Sequence, residues 1–307
     1  MPASYDVYKL SENLGVAVNS LYSLSNGKKR NYAKKVIKKQ NGGERVLYVP
    51  GGFLKYVQRE LLEKYLYYLP VSDYACAYVR GRNVLDNARV HVGNKKILKM
   101  DIQNFFDSVT AEKVYAVFKD MGLDRAATGL ITELCTYEGS LPQGAPTSPH
   151  IANLVMCEFD ETVGRLCNKE KINYTRYCDD MTFSGDFDEI ALARKIEGLL
   201  YYRGFVVNSS KTKSFDKSRS QQVTGVTVNS KPSLSRAKRR EIRSEVYYCC
   251  KYGVDSRVME KSGMTDSGKY FNSLLGRIAF ALQINPKDNE MKKCFEDIKK
   301  LKKSLIY

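Results

Sequence analysis

The chain has 307 residues, 43% of them hydrophobic and 27% charged, enough for a large core and several subdomains in one body. Its 50 Lys plus Arg outweigh 34 Asp plus Glu, and a net charge of +16 points to a polyanionic partner, nucleic acid first, rather than to a merely soluble basic surface. Eight scattered cysteines without a C-x-x-C pair, two histidines, and the lack of an apolar leader or of any run of about 18 apolar residues argue against a zinc site and against membrane insertion, so a soluble, cytoplasmic protein with reduced core thiols is expected.

Residues 1–30 carry no clear signal, and Lys28 to Lys39 is a basic stretch. Asn41-Gly42-Gly43 reads as a hairpin turn, with Glu44 to Val49 as the return strand. Leu54, Val57, Leu61 and Tyr65 recur at helical spacing, which predicts a helix over 53–68. Lys96 to Ile102 reads as a short strand that runs into Asp101. Thr110 is a candidate cap for a helix burying Val114, Val117 and Phe118, and 123–136 repeats that pattern. Leu141 to Pro149 is a Pro/Gly loop, followed by a predicted helix over 150–167. Ile172 to Arg176 and Met181 to Gly185 read as paired strands, because both are rich in β-branched and aromatic residues. An amphipathic helix is predicted over 188–203, stopped by Gly204, and then strands at 205–208 and 222–228. After Asn229-Ser230-Lys231-Pro232, the only clear linker signal, only helices are predicted: a basic one capped by Ser235, an apolar one over 267–283 and a Lys-rich one over 287–305.

Two features carry chemistry. The pair Asp179-Asp180 falls where the hairpin of Tyr177-Cys178-Asp179-Asp180 must turn. Adjacent carboxylates repel, so one tends to stay protonated unless cations hold the site, and hard oxygen ligands suit Mg²⁺. Asp101 at a strand end is by itself most simply a turn former. Beside the hairpin it completes a three-carboxylate cluster of the kind used for two-metal phosphoryl transfer. The second feature is Leu141-Pro142-Gln143-Gly144-Ala145-Pro146-Thr147-Ser148-Pro149, where a glycine allows close backbone approach to a ligand and a helix start offers free N–H groups. Alone it is an ordinary Pro-rich loop.

Asp101 followed by aromatic residues, the Leu-Pro-Gln-Gly-x-Pro-x-Ser-Pro loop and the Tyr-x-Asp-Asp box stand in the order and spacing of reverse transcriptases, and the resemblance runs from about residue 45 to 230. Asn87-Ala88-Arg89-Val90-His91 and Val223-Thr224-Gly225 resemble the Asn-Ala-x-x-His and Val-Thr-Gly elements of retron reverse transcriptases. The resemblance implies an α+β, right-hand polymerase fold: residues 1–96 as N-terminal segment and fingers, 97–230 as palm with further fingers helices at about 111–140, and 231–307 as a helical, RNA-binding thumb.

It also implies roles. Asp101, Asp179 and Asp180, with the Ile102 carbonyl, would hold two Mg²⁺ ions. Arg45, Phe106, Gln143, Gly144 and Lys211 would serve the dNTP, Phe106 by excluding a 2′-hydroxyl and Lys211 by protonating pyrophosphate. Asn87, His91, Val223, Thr224, Gly225, Arg236, Arg239 and Arg240 would face RNA. Lys39, Arg80 and Arg82 are weaker cationic candidates, for which a solvated surface charge is the plain alternative. His91 by itself reads as a structural hydrogen-bonding residue, Thr224 as strand surface, and Phe105 as core. The implied partners are a structured non-coding RNA serving as template and primer, dNTPs, the RNA–DNA hybrid product, a host RNase H and an effector protein of a phage-defence system. The competing expectations are a group II intron or diversity-generating reverse transcriptase, or an RNA-binding scaffold that sequesters an effector. Retron enzymes more often carry Ala where this chain has Cys178.

Overall fold

Buried side chains on both faces of residues 97–102 and 181–185 mark a strand pair covered on both sides. In the computed structural model, which describes residues 6–38, 42–254 and 266–304, that pair is the centre of the larger of two compact units, Met1–Asn83 with Lys96–Ser214. Strand β3 (Lys96–Asp101) pairs antiparallel with β5 (Asp180–Gly185), and β5 with β4 (Asn173–Tyr177). β6 (Lys213–Asp216) lies on the free side of β3, giving the order β4-β5-β3-β6. The register sets Met100 opposite Met181 and Asp101 opposite Asp180.

Around these strands the unit holds α1 (Val7–Leu14), α2 (Val18–Asn26), α3 (Lys28–Asn31), α4 (Gly52–Lys64), α6 (Phe105–Ser108), α7 (Ala111–Lys119), α8 (Arg125–Cys135), α9 (Ser148–Val155), α10 (Cys157–Lys169) and α11 (Glu189–Tyr202). Side-chain caps start several of them: Thr110 Oγ1 accepts from the Lys113 amide and Asp124 Oδ1 from the Ala127 amide. A separate hairpin pairs β1 (Tyr32–Lys38) with β2 (Glu44–Pro50), and Lys39, Gln40 and Asn41 are outside the described residues. Six of the seven β1 residues are exposed, which suits a hairpin arm rather than a core strand.

The second unit joins Val84–Lys95 to Phe215–Tyr307. α5 (Val84–Arg89) packs on the small hairpin of β7 (Gln222–Val223) and β8 (Val226–Thr227). α12 (Arg236–Tyr252), α13 (Ser267–Ile284) and α14 (Asn289–Ser304) pack together through Ile242, Val246, Phe271, Leu274, Ile278 and Met291. Ion pairs Arg239–Asp288 and Arg243–Glu290 tie the first of these helices to the last. Among the described residues no helix is long and apolar enough to cross a membrane.

Several predicted elements are corrected. The helix expected over 53–68 ends at Lys64, because Tyr65 leaves the helical region at φ −129°, and a short 3₁₀ turn covers Leu66–Tyr68. The single helix over 150–167 is two, separated at Met156. The strand at 205–208 reduces to one bridge, Ile102 to Val207. The strand at 222–228 folds back on itself, since Thr224 and Gly225 both take positive φ (46° and 83°), the backbone of a tight hairpin turn. Strand β6 escaped prediction because Lys213-Ser214-Phe215-Asp216 has no buried residue to mark it.

Candidate active site

The hairpin of β4 and β5 turns through Cys178 and Asp179, with Tyr177 and Asp180 as the last pair. Cys178 stands at φ 61°, a left-handed conformation that costs a non-glycine residue about 1 kcal/mol or more and needs support from its surroundings. Three contacts supply it. The Arg176 guanidinium donates to the Cys178 carbonyl at 3.0 Å. The Asp179 carbonyl accepts from the Ile102 amide at 2.9 Å, fixing the tip to the end of β3. The Tyr78 side chain interacts with the Cys178 thiol, and Tyr78 is itself held at φ 59°. Burial and the nearby Asp179 charge push the Cys178 thiol up to about 12, so it is un-ionised at neutral pH.

Arg176 is fully buried and so is its partner Asp160. The guanidinium reaches both Asp160 oxygens at 2.6–3.1 Å and Asn153 Oδ1 at 3.1 Å. Tyr174 donates a further hydrogen bond to Asp160 at 2.8 Å, and Asn153 donates to the Ala77 carbonyl at 2.8 Å. One buried polar network therefore joins α9, α10, β4, the hairpin tip and the segment leading into Tyr78. Sequence reasoning missed all of its members except the tip. The one signal available was an Arg among the aromatic and β-branched residues of β4, a cation that needs an anion where it is buried.

Asp101, Asp179 and Asp180 come together. Asp180 is the registered partner of Asp101, and Asp179 lies close enough to Asp101 for their charges to interact. Burial, then repulsion from Asp101, raises the Asp179 carboxyl above the ordinary range. Burial raises Asp180 too, against the pull of Lys99. Lys99 Nζ stands 2.8 Å from Asp180 Oδ2, and Lys211 Nζ stands 2.9 Å from Asp101 Oδ2. The hydrogen bond to Asp101 raises the Lys211 ammonium. The Asn208 amide donates to the Asp101 carbonyl at 2.8 Å, which brings the Lys211 loop to the strand end.

The donor set fits divalent cations: three hard-oxygen carboxylates, two of them desolvated and repelling, are a site that a small cation would relax. As placed, the lysines answer that charge, and among the described residues no three His, Cys, Asp or Glu side chains already converge on one point. A cation would exchange with the ammonium groups and leave the local charge balance similar.

Of the nucleotide candidates, Gln143 and Gly144 meet the hairpin of β1 and β2. The Tyr48 amide of β2 donates to the Gln143 carbonyl at 2.8 Å, so the hairpin that carries Arg45 docks on the Pro/Gly loop. Gly144 has φ 128°, and a Cβ there would meet the Tyr48 carbonyl oxygen at 2.8 Å, so only glycine permits this approach. Arg45 is exposed. Phe106 is half-buried, edge-on to Phe105 with centroids 5.5 Å apart, while Phe105 is buried in the core. Arg80 lies 3.7 Å over the Tyr67 ring and pairs with Glu63, and Arg82 donates to the Ala75 carbonyl and to Asp73. Both arginines thus have structural partners. Lys39 lies outside the described residues.

In the second unit, the Asn87-to-His91 and Val223-to-Gly225 elements meet. Asn87 Nδ2 donates to Thr224 Oγ1 at 3.5 Å, and Thr224 Oγ1 donates to the Val84 carbonyl at 3.1 Å. Asn87, His91 and Val223 are buried, and burial pushes the His91 imidazole down to about 3, so it is neutral. These three side chains offer no surface to a ligand. Thr224 and Gly225, partly exposed on the turn, do. Arg236 and Arg240 are exposed on α12, whereas Arg239 is paired with Asp288 and Glu290.

Residues 37–228 match the family of reverse transcriptases, RNA-dependent DNA polymerases. The chain belongs to that family and has its right-hand polymerase fold of fingers, palm and helical thumb, with mixed helix and strand. Among curated proteins it is similar to Retron Ec83 reverse transcriptase of Escherichia coli, 34% identical over 267 residues that cover 81% of this chain and 82% of that one. It is 32% identical over 302 residues to Retron Mx65 reverse transcriptase of Myxococcus xanthus (90% and 68% covered), and 30% identical over 253 residues to Retron Ec86 reverse transcriptase of Escherichia coli (81% and 79%). Within the family the chain stands with the retron reverse transcriptases, and it is an RNA-directed DNA polymerase that takes an RNA template.

Proposed function

We propose that this polymerase copies part of a structured non-coding RNA into a branched RNA–DNA molecule, msDNA, primed from a 2′-hydroxyl of the same RNA. The observation that carries the catalytic half is the strand register that sets Asp101 opposite Asp180, with Asp179 tied to Ile102. Asp101, Asp179 and Asp180, helped by the Ile102 carbonyl, are the residues that would hold two Mg²⁺ ions. When bound, such ions lower the pKa of a priming hydroxyl and stabilise the pyrophosphate leaving group.

The remaining roles belong to the chain's own side chains. Arg45 on the β2 arm holds triphosphate oxygens, for which a guanidinium fork is suited. Gln143 and Gly144 shape the nucleotide floor where Tyr48 docks. Lys211 gives a proton to departing pyrophosphate, a role supported by its ion pair with Asp101. Thr224, Gly225, Arg236 and Arg240 face the RNA, with Asn87, His91 and Val223 supporting the turn from within. In the cell the product would be trimmed by a host RNase H and used with an effector protein in defence against phage.

The Phe106 ring excludes a ribose 2′-hydroxyl. Phe106→Ala is expected to raise incorporation of ribonucleotides relative to deoxyribonucleotides by tenfold or more, the effect of one steric contact worth roughly 1–3 kcal/mol. Unchanged sugar discrimination in single-nucleotide extension would return Phe106 to a packing role. For the branched product, nucleic acid that co-purifies with the protein is treated with debranching enzyme. A mobility shift of a short RNA-linked DNA is the expected result, and linear DNA that does not shift would overturn the branched-product proposal.

A further inference from the structure

α12 begins with a cluster of cations that its own electrostatics does not favour. A helix N-terminus is a site of partial positive charge, yet the first turn of α12 carries Arg236, Lys238 and Arg239 and no acidic residue, and Arg240 follows it. Asp288 and Glu290 pair with Arg239, and Glu290 with Arg243. Arg236, Lys238 and Arg240 stay exposed, with no ion pair to them among the described residues.

The second half of the helix carries exposed rings. Tyr247, Tyr248 and Tyr252 are 55%, 49% and 59% accessible. Tyr248 stacks on Tyr252 with centroids 5.9 Å apart, and Tyr247 meets Tyr248 edge-on at 5.6 Å. Lys251 Nζ lies 5.4 Å and 5.0 Å from the Tyr247 and Tyr252 rings. At 100° per residue, positions 236, 240, 247, 248 and 251 share the face opposite the buried Ile242, Val246 and Cys249. With a rise of 1.5 Å per residue that face is a continuous strip roughly 22 Å long, cationic at one end and aromatic at the other.

We propose that this strip binds a single-stranded segment of the RNA, with phosphates on Arg236 and Arg240 and unpaired bases stacked on the tyrosines. This rests on the reading that the chain binds a structured RNA, and it names which part of that RNA α12 takes. Cations beside aromatic faces are what a groove for single strands needs, since every base has a π-face and every phosphate a charge. A duplex hides its base faces, so it can use the cations but not the rings. Lys251 among the rings also suits a polyanion better than a protein partner, since lysine is depleted at protein interfaces.

The test uses the full-length protein and two probes, a labelled 12-nucleotide oligoadenylate and a 24-base-pair RNA duplex, each titrated at several salt concentrations. The variant Tyr247→Ala/Tyr248→Ala/Tyr252→Ala is expected to bind the oligoadenylate at least tenfold more weakly at every salt, with the slope of log affinity against log salt unchanged. Its affinity for the duplex stays near that of the parent. Arg236→Ala/Arg240→Ala is expected to flatten the slope for the oligoadenylate by about 1.4, at about 0.7 for each phosphate no longer neutralised. The triple Tyr→Phe variant keeps its rings and is expected to bind like the parent, which separates stacking from a folding defect. Parent-like oligoadenylate binding by the alanine variant, or equal loss on both probes, overturns the proposal. Extension of oligo(dT) on poly(rA) by the parent protein is measured in parallel. Synthesis there with no effect of the tyrosines sinks the strip alone, whereas no synthesis sinks the polymerase reading itself.

Discussion

Asp179→Asn together with Asp180→Asn is expected to lower DNA synthesis on an RNA template by a factor of a thousand or more while RNA binding persists. Asparagine keeps the shape and the backbone contacts of the tip but removes two of the three negative charges. Charge stabilisation by bound cations is worth several kcal/mol at the transition state, and about 4 kcal/mol corresponds to that factor. Folding responds in the opposite direction. Both carboxyls are raised above the ordinary range by burial. A carboxyl with a raised folded value favours the folded state while protonated, and that contribution fades as pH rises from the unfolded value through the raised one. Ionising these groups therefore costs stability as pH rises through their raised values. The asparagine variant should then melt no lower than the parent at pH 7, a trade of stability for activity seen at strained sites. Primer extension and thermal melting on the same sample decide the matter. Undiminished synthesis would remove these carboxylates from the chemistry.

The largest effect on stability is expected at Arg176. Arg176→Met keeps much of the side-chain volume but leaves Asp160 buried without its cation, and it removes the donor to the Cys178 carbonyl. Breaking a buried pair by deleting one partner costs about 3–5 kcal/mol, because the remaining charge is uncompensated. Arg203→Met breaks the far more exposed pair with Glu158 and is expected to cost less than about 1 kcal/mol. Urea unfolding of both variants compares them directly. If Arg176→Met costs no more than Arg203→Met, the buried network does not carry the hairpin. Synthesis by Arg176→Met, measured below its melting temperature, should also fall, since the tip loses one of its three supports.

Sequence made the hairpin, the strand ending in Asp101 and most of the long helices legible, because each is set by residues near one another in the chain. β-branched and aromatic runs flank the acidic turn, and caps such as Thr110 and Ser235 sit where the helices start. Contacts between residues far apart were not legible. Nothing local couples Arg176 to Asp160, Tyr78 to Cys178, or Lys99 and Lys211 to the carboxylates. The left-handed backbone of Thr224 was equally hidden, since Thr-Gly inside a run of valines reads as strand. The burial of His91 and Asn87 is a tertiary property that no local pattern reveals.

The pairing of Asn87 with Thr224 has a consequence for the order of events during synthesis. The two residues are 137 positions apart, and the segment Val84–Lys95 belongs with the C-terminal unit although it is made before the central strands. At about 5–20 residues per second, Asn87 waits roughly 7–27 s on the ribosome before its partner Thr224 is made. The final unit is thus a clasp whose first half is laid down early and closed late. For the same reason residues 215–307 are not a detachable module: without Val84–Lys95 they lose the helix that packs on the turn, and without them Asn87 loses its hydroxyl partner.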